Sequence, residues 1–395
     1  MPNKENYTAK LLEMEDIILT DVTNEAGTTF IHCMMPQREY ECPRCKATTS
    51  RIHDYRTQTV KDAPMYGRHT VLKIRKRRYV CPVCGKRFYE KVPLLPKYQR
   101  TTTRLWAFVL EELSKVQSMK DIASRVGISA TSVARILDHL SYDMLHLPDV
   151  ISIDEFKGNA GGHKFQCIIT NPKKRQVLDI LPEKTTESLS GYFSRFRDRA
   201  NVKYIVMDMS CVFRSMANTC FPKAQIVADK YHVQRQVAWA FEDMRKRVQQ
   251  KFAANRRRYF KRSRYIMLKN IHKLNEEEKQ QLTVMLGLSE ELAASYFLLQ
   301  KFYEVMQSKD RVTAKKRLSE WYLHVGSTDS RIYSRFHKCV NTFIEWNDEI
   351  LNAFETGFTN GYTEGCNNKI KVIKRNAYGL RNFHRFKQRI MHVMA

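Results

Sequence analysis

The sequence has no long apolar run. No stretch approaches the roughly 18 residues of a membrane-spanning helix, and no lipidation motif is present. The beginning of the chain, MPNKENYTAKLLEMEDI, is polar and acidic, where a secretory signal would be basic and then apolar. These absences argue against a membrane-spanning, lipid-anchored or secreted protein, and we expect it to reside in the cytoplasm.

Acidic residues are scarce relative to basic ones. The chain has 41 Asp and Glu against 68 Lys and Arg, a net charge of +27. Such an excess favours a polyanionic partner, with nucleic acid as the first candidate and hence an association with the nucleoid. A basic membrane-surface protein is the alternative. At 395 residues and 43% apolar content, the chain is long and apolar enough to fold into two to four domains.

Four of the ten cysteines form two pairs with the same spacing. An intracellular chain is not expected to form disulfides, so its clustered cysteines indicate metal ligands. Cys42-Pro-Arg-Cys45 and Cys81-Pro-Val-Cys84 predict one structural Zn²⁺ held by four thiolates. The long intervening segment leaves room for extra strands, one of them predicted at 70–80. Six cysteines without this spacing are predicted to be buried or half-buried: Cys33, Cys167, Cys211, Cys220, Cys339 and Cys366.

Residues 101–147 have helical periodicity. A short helix at 118–126, a turn at Gly127 and a second helix capped by Ser129 predict a helix-turn-helix. The second helix would bury its aliphatic residues, Val133, Ile136 and Leu137. Ala130, Thr131 and Arg135 would then be exposed, where they could contact base edges or phosphates. A small helical bundle without a special role is the alternative.

From Val150 onward the pattern is that of an α/β domain. Three consecutive strands are predicted at 150–156, 163–170 and 175–181, followed by a helix at 186–197. Two further strands, at 202–207 and 224–228, alternate with helices, and each ends at an aspartate, Asp208 and Asp229. Three antiparallel strands followed by alternating helices and strands give a mixed α/β order.

Residues 232–350 are predicted to be almost entirely helical. Between Arg245 and Asn275 there are 12 Lys or Arg and no acid, interleaved with Phe252, Tyr259, Phe260 and Tyr265. This composition is typical of a phosphate-binding surface with aromatic residues for stacking. A solvated basic helix is the alternative. Two tryptophans in the second half, Trp321 and Trp346, are predicted to anchor the core.

Three carboxylates from separate elements suggest a metal site. Asp154 lies inside the first strand of the α/β segment, where an unpaired charge is costly, and Asp208 stands where the fourth strand ends. On the helix that follows residue 361, Glu364 shares a polar face with Asn368, Lys371 and Arg375. The opposite face is apolar, with Cys366, Ile370, Ile373 and Ala377. Asp154, Asp208 and Glu364 would suit two Mg²⁺ ions, although each acid could also be an ordinary cap or ion-pair partner.

Four sequence motifs resemble those of a known family. IDEF at 153–156, MDMS at 207–210, QIVADKYHV at 225–233 and EGCNNKIKVIKRNAYGLRNFHRFKQRI at 364–390 closely resemble the DDE transposases of bacterial insertion sequences, specifically the ISL-three group. The resemblance covers nearly the whole chain. It implies a multidomain α/β protein with a zinc-binding region at 1–100, a helix-turn-helix at 101–148, and an RNase H-like catalytic core at 149–232 and 351–395. A basic helical insertion at 233–350 would interrupt that core.

The resemblance also implies a chemistry. Asp154, Asp208 and Glu364 match the acidic triad that binds Mg²⁺ or Mn²⁺, and Lys371 matches a basic position common in such enzymes. We expect Lys371 and Arg375 to bind DNA. Asp229 is also characteristic of the group, so it is either a supporting acid or the true third ligand. The implied function is binding of terminal inverted repeats, metal-dependent DNA cleavage and strand transfer by a homo-oligomer on double-stranded DNA. The alternatives are a non-catalytic DNA-binding regulator derived from a transposase and a structure-specific nuclease.

We expect DNA binding to weaken steeply with salt, because the 245–275 run and the 70–80 strand can neutralise many phosphates. Sequence choice should lie in residues 42–147. Binding measured across a salt series would show a steep slope of log K against log salt concentration on any DNA. A shallow slope would contradict the first expectation. An isolated 1–147 fragment without preference for the element's ends would contradict the second.

Overall fold

The computed structural model describes residues 17–395, apart from the side chains of Tyr259 and Lys261. The segment 1–16, in which the sequence predicts no secretory signal, lies outside the described residues. The described chain forms two compact units: residues 17–142 with Val372–Ala395, and Asp143–Lys371. These limits differ from the predicted domain boundaries, which stay predictions. No described helix is both long and apolar enough to cross a membrane.

The first unit begins with a sheet built on a long hairpin. Its strands are β1 (Ile18–Glu25), β2 (Thr28–Met34), β3 (Tyr40–Glu41), β4 (Thr48–Thr49), β5 (Ile52–Met65), β6 (Arg68–Val80) and β7 (Arg87–Tyr89). The sheet order is β1-β2-β6-β5 with β7 also on β6, and β3 and β4 form a separate pair. The turn between β5 and β6 has positive φ at both Tyr66 and Gly67, as a two-residue hairpin turn requires. The strand predicted at 70–80 is confirmed as part of β6, which pairs with β2, β5 and β7.

The two cysteine knuckles come together at one end of this sheet. The four sulfurs of Cys42, Cys45, Cys81 and Cys84 lie within 4.8 Å of one another. Each knuckle is closed by a backbone hydrogen bond to its first cysteine, from Lys46 N to Cys42 O and from Gly85 N to Cys81 O, both 3.0 Å long. Four thiol groups at this separation are the donor set of a structural zinc site.

Three helices follow the sheet: α1 (Thr103–Ser114), α2 (Met119–Val126) and α3 (Ala130–Leu137). Ser118 caps α2, Gly127 ends it with φ of 68°, and Ser129 caps α3. Val133, Ile136 and Leu137 are buried, as predicted. Ala130, Thr131 and Arg135 are exposed, which also agrees with the sequence analysis. The predicted helix-turn-helix geometry is therefore present.

The second unit contains a five-stranded mixed sheet. Its strands are β8 (Val150–Phe156), β9 (Gln166–Asn171), β10 (Gln176–Leu181), β11 (Tyr204–Met207) and β12 (Gln225–Ala228), in the order β10-β9-β8-β11-β12. The first three pair antiparallel, whereas β11 is parallel to both β8 and β12. Helices α4 (Thr186–Ser194) and α5 (Cys211–Cys220) connect them. The second strand begins later than predicted because a tight bridge between Ala160 and His163 precedes it.

The rest of the second unit is helical, as predicted. Its helices are α6 (Lys230–Gln250), α7 (Ala254–Arg262), α8 (Arg264–Leu268), α9 (Glu276–Gly287), α10 (Glu290–Met306), α11 (Arg311–Gly326), α12 (Ser330–Glu345) and α13 (Asn347–Thr356). Trp321 and Trp346 are 1% and 2% exposed and anchor the core, as predicted. Cys211 does not follow its prediction: it is exposed, because it occupies the first position of α5.

The last two helices are α14 (Gly361–Asn376) and α15 (Phe383–Met394). Residues with positive φ, Tyr378 and Gly379, separate them, so Ala377 lies beyond α14 and is only half-buried. Helix α15 packs on α1 and α3. Arg389 donates to the carbonyls of Lys115 and Gln117 at 2.8 and 2.9 Å. A fragment ending at residue 147 would lack this support, so sequence preference is better tested in the full chain.

We predict that the four clustered cysteines bind one zinc ion per chain and that Cys81→Ser abolishes this binding, because a tetrahedral thiolate site with three ligands is incomplete. Metal analysis after gentle purification measures it. Cys211→Ser is the control, since Cys211 is exposed and outside the cluster, and it should retain zinc. Less than one zinc per chain in the unsubstituted protein would contradict the assignment.

Candidate active site

The three acids predicted from the sequence line one open pocket of about 430 Å³ in the second unit. Asp154 lies on β8 and Asp208 directly follows β11. These strands are parallel neighbours with Ser152 opposite Val206, so the two aspartates reach the same edge of the sheet. Glu364 enters the pocket from the first turn of α14. The structure therefore brings together carboxylates that are more than 50 and 150 residues apart in sequence.

Asp154 is the most constrained of the three. It is 6% exposed, and its carboxylate accepts hydrogen bonds from Asn367 Nδ2 at 2.9 Å and from Glu155 N at 2.8 Å. Burial raises the pKa of Asp154 to about 7, and the nearby carboxylates of Asp208 and Glu364 add to the shift. An ionised Asp154 is thus unfavourable without a neighbouring positive charge.

Asp208 and Glu364 experience the same environment. Burial raises the pKa of Asp208 to about 6, with the charge of Glu155 as the next contribution. Burial and Asp229 raise the pKa of Glu364. Asp208 Oδ1 is buried and accepts no hydrogen bond from any residue in the described part of the chain. A buried carboxylate oxygen without a donor, among like charges, fits a divalent cation as its missing partner.

A second group of metal-binding side chains shares Glu364. Asp229, His232 and Glu364 each place one ligand atom within 4.8 Å of the other two. His232 Nε2 lies 3.6 Å from Glu364 Oε1. Asp229 is 2% exposed; its Oδ1 accepts a hydrogen bond from Asn360 N, and its Oδ2 has no donor among the described residues. Glu364 thus lines the pocket with Asp154 and Asp208 and also lies close to Asp229.

Sequence reasoning did not identify three residues that shape this site. Asn367 holds Asp154, and His232 and Arg235 line the pocket from α6. Arg235 Nη2 donates to His232 Nδ1 at 3.0 Å, and burial and this guanidinium lower the pKa of His232. The spacing of Asp229 and His232, three residues apart at the start of a helix, was the available signal, because such residues share a face.

Glu155 also lines the pocket. Strand alternation directs its side chain away from that of Asp154, but the pocket extends around the end of β8 to Lys157. The Glu155 carboxylate forms an ion pair with Lys184. It therefore contributes negative charge to the site while having a cation of its own.

The predicted DNA-binding residues are distributed over both units. Lys371 lines the acidic pocket, and its Nζ donates to Asn368 Oδ1 at 3.1 Å. Arg375, one turn further along α14, is exposed and does not line this pocket. Thr131 and Arg135 are exposed on α3 in the first unit. The structure therefore brings only Lys371 of these four to the carboxylates.

Several basic side chains between residues 245 and 275 form ion pairs within the protein. Arg245 and Arg264 pair with Glu242, Lys251 with Glu291 and Lys269 with Glu278. Phe260 is fully buried, and Phe252 stacks on it with ring centroids 5.0 Å apart. The prediction of exposed stacking rings is wrong for these two, because Phe260 belongs to the hydrophobic core and Phe252 packs against that core from the loop before α7. Tyr265 remains exposed at 76%.

We predict that Asp154→Asn stabilises the protein at pH 8 in the presence of EDTA. The pKa of Asp154 is higher in the folded chain than its ordinary 3.8, so its ionisation destabilises the fold as the pH rises from about 4 to about 7. The penalty is complete above that range and on the order of 4 kcal/mol. Thermal unfolding should show a higher Tm for the variant at pH 8 and a shrinking gain as the pH falls.

The matched control is Asp149→Asn. A hydrogen bond from Lys173 lowers the pKa of Asp149, so this substitution should bring no gain at pH 8. If Asp154→Asn instead lowers the Tm at pH 8 in EDTA, the carboxylate is not held in an unfavourable ionised state.

Comparison with known proteins identifies three segments. The family described as "Transposase" matches residues 151–390. The "zinc-finger of transposase IS204/IS1001/IS1096/IS1165" matches residues 38–84, and the "Helix-turn-helix domain of transposase family ISL3" matches residues 90–141. The zinc-finger match contains both cysteine knuckles, which supports a structural zinc ion there. The predicted order of a zinc-ribbon domain, a helix-turn-helix and a transposase domain in a mixed α/β chain is confirmed.

Two curated relatives are similar to this chain. The transposase for insertion sequence element IS1001 of Bordetella parapertussis is 26% identical over 352 residues, which are 86% of this chain and 85% of that protein. An ATP-dependent protease of Lactococcus lactis subsp. lactis is 33% identical over 123 residues, only 31% of this chain and 36% of that protein. The transposase match from 151 to 390 spans more than half of the 395 residues, and the chain therefore belongs to transposase family ISL3.

Proposed function

We propose that this transposase binds the terminal inverted repeats of its insertion sequence, cleaves DNA there in a metal-dependent reaction and joins the released strands to target DNA. The observation that carries the proposal is the convergence of Asp154, Asp208 and Glu364 on one open pocket that also contains Lys371. Carboxylates delivered from two strands and a helix, beside a cation for the DNA backbone, suit phosphodiester chemistry.

The sheet supports an RNase H-like core. Three antiparallel strands followed by two parallel ones, in the order β10-β9-β8-β11-β12, put the first strand of the domain at the centre. Asp154 on this central strand and Asp208 after its parallel neighbour then face the same edge. The helices from α6 to α13 separate these strands from α14 in sequence, which corresponds to the proposed basic insertion.

Mg²⁺ or Mn²⁺ fits the site because the pocket offers carboxylate oxygens, which hard cations prefer. Asp154, Asp208 and Glu364 would hold it, and it would supply positive charge to polarise a phosphodiester and an attacking oxygen. The raised pKa values of Asp154 and Asp208 indicate that these acids lack a compensating charge.

The protein's own residues would orient the DNA. Lys371 is exposed at the pocket, and its bond to Asn368 holds the ammonium group over the opening, where it can bind a phosphate oxygen. Asn367 keeps Asp154 in one orientation. The exposed face of α3, with Thr131 and Arg135, would read the repeat sequence in the major groove. Both transposon ends must be held together, so we expect the active form to be a homo-oligomer on DNA.

A non-catalytic regulator derived from a transposase remains the alternative function. Such a protein would need the zinc ribbon and the helix-turn-helix but no buried acids. Keeping several carboxylates in one pocket is unfavourable for folding, so their presence favours catalysis.

We predict that Glu364→Gln abolishes Mg²⁺-dependent cleavage and strand joining while leaving DNA binding intact, because the amide removes a ligand charge without changing the shape of the side chain. Cleavage and binding of a DNA end can be measured in parallel with a radiolabelled duplex. Asp229→Asn should retain measurable cleavage, since Asp229 does not line the pocket and bonds to Asn360 N.

The matched control is Glu183→Gln, a glutamate of the same unit that faces His163 outside the pocket, and its cleavage should be unchanged. Cleavage that survives in Glu364→Gln but is lost in folded Asp229→Asn would show that Asp229 is the third ligand. Cleavage by both variants would show that neither Glu364 nor Asp229 is an essential ligand, whereas an unsubstituted protein that binds the DNA end without cleaving it would favour the regulator hypothesis.

A further inference from the structure

Helix α6 carries an exposed aromatic pair beside the acidic pocket. Tyr231 is 55% exposed and Trp239 is 57% exposed. They are eight residues apart with Arg235 midway, a spacing that puts all three on one face of the helix. The other face of α6 is apolar and buried through Val233, Val237 and Phe241. The three residues therefore form a stripe of two exposed rings with a half-buried guanidinium between them, on a helix that is anchored from behind.

Trp239 differs from the other tryptophans of the chain. Trp321 and Trp346 are buried in the helical core, and Trp106 is half-buried. A tryptophan carries a large apolar surface, and leaving more than half of it in water forgoes the stabilisation that burial would bring. Such a residue next to a site is a good candidate for binding a flat, apolar surface of a ligand.

The guanidinium of Arg235 lies between the two rings. Its Cζ is 4.7 Å from the Trp239 ring centroid and 5.5 Å from that of Tyr231. Arg235 bonds to His232 but forms no ion pair within residues 17–395. The positive charge of Arg235 acts to lower the pKa of Asp208 and of Glu364. Burial acts in the opposite direction and is the larger effect, so the pKa of each acid is raised overall. A cation without a carboxylate partner is available for a phosphate group.

The stripe is continuous with the proposed active site. Tyr231 and Arg235 line the same pocket as Asp154, Asp208 and Glu364, and Trp239 lies one helical turn beyond Arg235, about 6 Å along the helix axis. DNA whose phosphodiester enters this pocket would lie next to Tyr231 and Arg235, which line it. In the nucleotide next to the reacting phosphodiester, the phosphate would contact Arg235 and the base would contact an aromatic ring.

From this arrangement we infer that the Tyr231–Arg235–Trp239 stripe binds an unpaired nucleotide adjacent to the cleaved phosphodiester. The inference rests on the proposed function and adds that the DNA is locally opened at the site. Bases inside a duplex have both faces covered by their neighbours, so an aromatic ring can stack only on a base that has left the helix or lacks a partner. The guanidinium supplies the phosphate contact.

The test compares two DNA duplexes of the same length and flanking sequence. One is fully paired, and the other has a short internal run of mismatched thymidines. Binding to the full-length protein is measured with Ca²⁺ in place of Mg²⁺, so that the assay does not depend on cleavage. Tryptophan fluorescence is recorded in parallel, because stacking on a base should quench Trp239, the one exposed tryptophan of the four.

The mismatched duplex should bind more tightly and quench the fluorescence more. Trp239→Ala should weaken binding of the mismatched duplex about 5- to 150-fold, the range of one lost base stack, with little change for the paired duplex. Trp239→Phe should restore most of the affinity without the quench. Tyr265→Ala is the control, since Tyr265 is also exposed but does not line the pocket, and it should change neither duplex.

Three outcomes would overturn the inference. Equal binding of both duplexes by the unsubstituted protein, without quenching, would show that no unpaired base is bound. Equal weakening of both duplexes by Trp239→Ala would show that the ring only positions Arg235. An unchanged affinity in Trp239→Ala would exclude the stack. Each leaves the proposed function standing, whereas failure of the unsubstituted protein to bind any DNA would overturn both.

Discussion

The burial of several carboxylates in one pocket is the constraint on which the second unit depends. Burial is the largest cause of the raised pKa values of Asp154, Asp208 and Glu364, and neighbouring carboxylates add to it: Asp208 and Glu364 act on Asp154, Glu155 and Asp229 on Asp208, and Asp229 on Glu364. A fold selected for stability alone would not maintain this arrangement. The sheet, the hydrogen bond from Asn367 and the helix that carries Glu364 all serve to keep like charges together.

The architecture achieves this by combining elements from distant parts of the sequence. The core of the sheet between β8 and β12 is apolar, with Ile151, Ile153, Ile205 and Val227 fully buried. That rigid layer determines where Asp154 and Asp208 emerge. Glu364 is brought in by α14, whose first turn is fixed from below by Thr363, which hydrogen-bonds to Ser152 and Thr170 of the sheet. The helical insertion can therefore vary in length without displacing the acid.

The positive charge of the chain has several separate roles. Part of the basic run at 245–275 is paired internally with Glu242, Glu291 and Glu278, which reduces the charge that it presents to an external partner. Lys371 and Arg235, in contrast, lie at the acidic pocket. Net charge alone thus overstates the number of phosphates the protein can neutralise, and the position of each cation decides its use.

The sequence by itself determined those features of this protein that depend on short-range patterns. The cysteine knuckles, the caps and turn of the helix-turn-helix, the five strands of the α/β segment and the two strand-end aspartates all depend on residues close together in the chain. The polar face of its helix indicated Glu364 as a candidate, and the family motif then supported its grouping with Asp154 and Asp208. Tertiary structure alone decided that Glu364 also contacts His232 and lies near Asp229, that Phe260 faces the core, and that α15 packs on the helix-turn-helix. It also decided that Trp239 stays exposed. These features arise from packing between segments that are far apart in sequence. The periodicity of one segment shows which of its faces is apolar, but it does not show which other segment will cover a given surface.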